Sequence, residues 1–159
     1  MNRKALARRS FGIGVYALVA AIVVQFFLAG LGIFADARLF FWHTTVDAAL
    51  IFFGSIALVV LGRFAGLDRG TFGVPGIIAG MVIVQSLLLF PYHLDLQEPW
   101  RAISGLHVVN GVAIFAIALR LMDRLRQDQL LPIHGEVATK APEGLGPRPS
   151  SSGGSAGQP

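Results

Sequence analysis

Two histidines stand at the heads of apolar runs: His43 in "FWHTTVDAAL" and His107 in "LHVVNGVAIFAIAL". Ionisable groups are costly in lipid, so one found inside an apolar stretch reads as functional, with a partner to be named. Asp47 follows His43 by four residues, which puts both on one helical face. There it can accept from the remote ring N–H and fix the imidazole tautomer, as the groups behind ligating histidines do. At the matching place after His107 stand Asn110 and Gly111. Asn110 brings no charge, and Gly111 leaves room for a flat ring against the backbone. Gln25 and Gln85 lie inside two further apolar runs, where they either line the same space or hydrogen-bond across helices. Arg38 and Arg101 shortly precede the two histidines and suit carboxylates at the rim of such a site.

The elements that position these residues follow from composition. The chain of 159 residues is 54% hydrophobic and only 14% charged, which is too apolar for a soluble domain of this size. It contains no cysteine, so disulfides and thiolate metal sites are excluded. A bilayer-spanning helix needs about 20 mainly apolar residues, and four stretches qualify, at about 10–35, 39–62, 70–94 and 102–122. The first is too long, and too rich in aromatics, for a cleaved signal peptide. Short links between the spans favour antiparallel neighbours. The expected fold is an all-α transmembrane four-helix bundle, up-down-up-down, over residues 10–126. A basic segment (1–9) precedes it, and a Pro-, Gly- and Ser-rich tail (127–159) follows, with too little to bury to be ordered.

Basic residues set the orientation. Arg3, Lys4, Arg8, Arg9, Arg63, Arg69, Arg120, Arg124 and Arg126 all fall at one end of the bundle, against Arg38 and Arg101 at the other. The positive-inside rule then puts both termini in the cytoplasm. The net charge of +4 is thus a topology signal, not a nucleic-acid footprint. Phe40, Phe41, Trp42, Tyr92 and Trp100 mark the outer interface.

The chain also repeats itself as two tandem hairpins. "IVVQFFL" matches "VIVQSLL", pairing Gln25 with Gln85 at an offset of 60 residues. "HTTVDAALIF" matches "HVVNGVAIFA", pairing His43 with His107 at an offset of 64. The second and fourth spans both enter from the outer face and lie diagonally across a four-helix core. Their histidines therefore meet at one depth, the arrangement that bis-histidine haem b requires. His93 follows "FPY" and is placed in the outer loop, outside the ligand pair; His134 falls in the tail.

Residues 10–125, through "VVQFFLAGLGIF", "FWHTTVDAAL" and "LHVVNGVAIFAIAL", resemble a family of small, functionally uncharacterised four-span bacterial membrane proteins. The layout is also similar to one four-helix half of the haem A synthase family, whose halves hold haem between paired histidines. That resemblance implies His43 and His107 as haem-iron ligands in a bacterial plasma membrane. The family's glutamate, one turn before a histidine, is missing: Phe40, Phe41 and Trp42 stand there. Haem modification is therefore not expected, and simple haem b binding is.

Three readings stay open. The first is a haem b protein serving electron transfer or acting as an accessory subunit, not an enzyme on its own. The second is a cofactor-free membrane subunit or assembly factor, held in a larger complex or homo-oligomer. The third is a quinone pocket in which His43 and Asp47 exchange protons. No nucleophile–base set, phosphate loop or bare-metal motif is present in the sequence.

Overall fold

The computed structural model describes residues 3–130. Within them, four stretches are long and apolar enough to cross a bilayer: Arg3–Phe34, Ala37–Ala65, Arg69–His93 and Trp100–Gln127. This is an all-α, multi-pass membrane protein with no strand among its described residues. The described residues up to Arg126 form one compact unit. Of the remainder, only the last turn of the fourth helix is described. The expected tail and His134 otherwise lie outside the described residues.

The first span is one unbroken helix of 32 residues and starts seven residues before the expected Ser10, so the basic segment forms its opening turns. The second begins irregularly. A 3₁₀ turn, Ala37–Leu39, is capped by Asp36, whose carboxylate accepts from the Arg38 N–H at 2.9 Å. A π-helical turn, Trp42–Asp47, follows, and then regular helix over Ala48–Ala65. Gly66 ends it with φ +67°, a conformation that glycine adopts without strain. The Leu67 N–H reaches back to the Gly62 carbonyl and the Gly66 N–H to Arg63, which satisfies carbonyls that the helix end would leave bare.

Asp68 caps the third helix, accepting from the Thr71 N–H at 3.0 Å and from the Thr71 hydroxyl at 2.6 Å. The hydroxyl bond is the main reason its carboxyl is held below the usual carboxylate range. The third span was expected to run unbroken over 70–94. Its regular helix stops at Leu87, and a separate single turn covers Phe90–His93. Pro91 accounts for the break, because it has no N–H and its ring would strike the carbonyl four residues back. The fourth helix, Leu106–Leu130, likewise starts later than expected, after a 3₁₀ turn at Trp100–Gly105.

Each span buries one stripe at coiled-coil spacing: Phe11, Val15, Leu18 and Ile22 on the first; Ile51, Ser55, Leu58 and Gly62 on the second. Thr71, Pro75 and Ile78 are buried on the third, and Ile114, Ala118 and Leu121 on the fourth. The opposite faces carry exposed Ile13, Phe27, Phe53, Phe64 and Val109, as a surface that meets lipid does. Close approach depends on missing side chains. A Cβ on Gly62 would lie 2.6 Å from that of Phe72 and 2.9 Å from the Phe11 ring, so three spans converge there.

At the basic end, arginines close helix termini. The Arg8 Nε donates to the Ala65 carbonyl (3.2 Å) and the Arg124 Nη1 to Gly70 (3.1 Å). The Arg126 Nε donates to the Tyr16 hydroxyl, with its guanidinium 5.9 Å above that ring.

Candidate functional site: a cavity between two matched hairpins

All four spans contribute to a cavity of about 780 Å³ in the half of the bundle that holds the histidines. Its floor is four aliphatic residues, Ile22, Ile51, Val82 and Ile114, one from each span. Above them Gln25 and Gln85 line it from the first and third spans, and His43 and His107 from the second and fourth. The two imidazole centroids are 6.3 Å apart, with ring planes at 63°.

Each imidazole is fixed the same way. The His43 Nδ1 lies 3.0 Å from the Gln25 carbonyl oxygen, and the His107 Nδ1 lies 2.9 Å from the Gln85 carbonyl oxygen. A carbonyl can only accept, so both Nδ1 atoms carry the hydrogen and both Nε2 atoms keep a free lone pair. A backbone carbonyl on Nδ1–H is a common way to set the tautomer of a ligating histidine. The Phe40 ring adds support from the side, edge-on to His43 at 6.2 Å. That ring lies against Gly32, where a Cβ would come within 2.9 Å of it.

The repeat reappears in three dimensions. Buried positions of the first and third spans match at the same offset of 60 that pairs the glutamines: Phe11 with Thr71, Val15 with Pro75, Leu18 with Ile78. On the second and fourth spans Ile51 pairs with Ile114, Ser55 with Ala118 and Leu58 with Leu121, at an offset of 63, not 64. His43 therefore precedes the core stripe by eight residues, where His107 precedes it by seven. In a regular helix seven residues return to within about 20° of the same face, and eight overshoot by roughly 80°. The π turn at Trp42–Asp47 takes up that extra residue and brings His43 back into line with the cavity.

The structure revises several expectations. The partner expected for His43 was Asp47; the Gln25 carbonyl holds that position on Nδ1 instead. The Asp47 side chain itself lies outside the described residues. Arg38 and Arg101 were expected at the site, yet neither lines the cavity. Arg101 pairs with Asp95 at 3.8 Å, and its guanidinium carbon sits 5.3 Å over the Tyr92 ring, which does line it. His93, assigned to the loop, ends the single turn after Pro91 and lines the cavity rim. Gln85 does both things expected of it, lining the cavity and accepting from Asn110 Nδ2, which also donates to the Met81 carbonyl at 3.0 Å. Gln25 does not: its Oε1 is buried without a hydrogen-bond partner. Gly111 lines the cavity, and a Cβ there would lie 3.3 Å from the Gln85 amide nitrogen and 3.5 Å from the Phe26 ring.

The carbonyl anchors were missed because a backbone oxygen leaves no trace in residue type. The matched glutamines were their only sequence signal. Among the described residues no group of three or more His, Asp or Glu is placed to hold a bare metal ion. Comparison with protein families, with curated proteins and with solved structures found no match to this chain.

Proposed function

We propose that this protein binds one haem b between His43 and His107 and serves as an electron carrier or haem-bearing subunit of a bacterial plasma membrane. The observation that carries this reading is the pair of carbonyl-anchored imidazoles, matched in position and facing one cavity. His43 and His107, with ring centroids 6.3 Å apart, would hold the group, and its iron would take an imidazole from each. The cavity of about 780 Å³ falls within the roughly 300–1,000 Å³ of cofactor sites. The macrocycle brings four nitrogens of its own, so two imidazoles complete the set where a bare ion would need more from the protein.

When bound, haem iron supplies one-electron chemistry. The chain supplies the rest. The Gln25 and Gln85 carbonyls hold the Nδ1 protons and so keep each Nε2 available. The four aliphatic floor residues exclude water, and the Gly111 backbone leaves space for a flat ring. The distribution of arginines favours a site near the outer face, with the N-terminus in the cytoplasm.

Protein purified in mild detergent after haem-supplemented expression is expected to show a Soret band and a reduced α-band. Replacing either His43 or His107 with Ala removes them. A colourless wild-type protein would overturn the reading. One observation favours a second reading, a quinol site. Gln25 Oε1 is a buried acceptor with no donor in the structure, and a ligand hydroxyl would satisfy it. Quinol binding by haem-free protein, lost in Gln25→Leu, would support that alternative.

A further inference from the structure

The cavity is matched in its floor, glutamines and histidines, but not along its edges. At the same offset of 60, Phe26 on the first span faces the position of Ser86 on the third, and Ile33 that of His93. Gly30, Phe40 and Tyr92 line the cavity outside the pairing, and the two aromatics repeat the contrast: Phe40 beside the first span, Tyr92 on the third. The first-span edge is thus apolar and the third-span edge polar, with the Arg101 cation stacked behind Tyr92.

We propose that the cavity selects a planar ligand with an acidic edge and seats that edge at the third span, where the His93 imidazole binds a ligand carboxylate. The proposal rests on the haem reading. The His43 and His107 rings address the two faces of such a ligand, so its edges meet the first and third spans. The third offers Ser86, Tyr92 and His93, with a nearby cation, to a carboxylate; the first offers Phe26 and Ile33 to the apolar substituents. His93 is a binding residue here, not an iron ligand.

The test compares haem b with its dimethyl ester, which keeps the iron and ring but carries no carboxylate. Both are titrated into the full-length protein in detergent, and uptake is followed by the Soret band. Wild type is expected to bind haem b at least about tenfold more tightly than the ester, the scale of one charge-assisted hydrogen bond. In H93L the preference disappears while ester affinity stays unchanged, which also shows that the variant is folded. H93Q keeps a donor and retains most of the preference. A preference in H93L equal to that of wild type, or equal binding of both forms by wild type, would overturn the proposal and leave the haem reading standing. Uptake of neither form by wild type would remove both.

Discussion

The two hairpins place the same residues in the same roles by different local means. In the second, a regular helix carries His107 at a spacing of seven from the core stripe, and Asn110 ties off the Gln85 side chain. In the first, one residue more separates His43 from Ile51, and a π turn absorbs it. The Gln25 oxygen there stays unpaired. What is common to both is the anchored imidazole over an aliphatic floor. The lesson is that the ligand-facing geometry is kept while the backbone that delivers it varies, the pattern expected of a site rather than of packing alone.

Filling the space between the hairpins should have the largest effect. Gly111→Leu drives a side chain toward Gln85 and Phe26, and haem uptake should fall by more than tenfold while circular dichroism still reports a helical protein. Unchanged uptake would show that the cavity is not where the ligand sits. Next in size is the asymmetry of the glutamines. Asn110→Leu removes bonds to Gln85 and Met81 and should destabilise the ligand-free protein by about 1–2 kcal/mol in detergent unfolding. Gln25→Leu removes an oxygen that has no partner, so it should be neutral or slightly stabilising. Equal losses in the two variants would erase the difference drawn between the hairpins.

A smaller effect is expected at the opposite end, where Asp68 caps the third helix. Its carboxyl titrates lower in the folded than in the unfolded chain, so the folded state is favoured wherever the unfolded carboxyl is ionised. That contribution is full above the ordinary aspartate range and fades as pH falls through the lowered folded value. Thermal melts of wild type and Asp68→Ala should differ slightly near neutral pH and converge in acid. A gap that widens on acidification would contradict the assigned capping role. The smallest effect is the most diagnostic for the π turn. Deleting Thr45 restores a spacing of seven between histidine and core, as in the fourth span, so haem uptake should survive. Loss of uptake in a folded deletion variant would mean that the π turn itself, not only the direction of His43, is required.

Much of this was legible in the chain, because membrane spans and repeats are written in residue type. Four apolar runs gave four helices, and the match of "HTTVDAALIF" with "HVVNGVAIFA" put both histidines at one cavity. The ungapped match hid the extra residue, since the apolar positions that reveal the offset of 63 are interchangeable to the eye. The break after Leu87 was signalled by Pro91 but overrun by the hydropathy around it. His93 was set aside as a loop residue for the same reason: only the added turn at Phe90–His93 brings it back to the rim. The Nδ1 anchors are backbone oxygens, and no side-chain pattern encodes them.

The central claim is that two equivalent imidazoles hold one planar ligand, and electron paramagnetic resonance of the ferric, haem-loaded protein tests it most directly. Wild type should give a low-spin bis-imidazole signal, and His43→Ala and His107→Ala should each lose that signal to the same extent. A low-spin signal that survives in either variant, or wild-type protein that takes up no haem, would contradict the account.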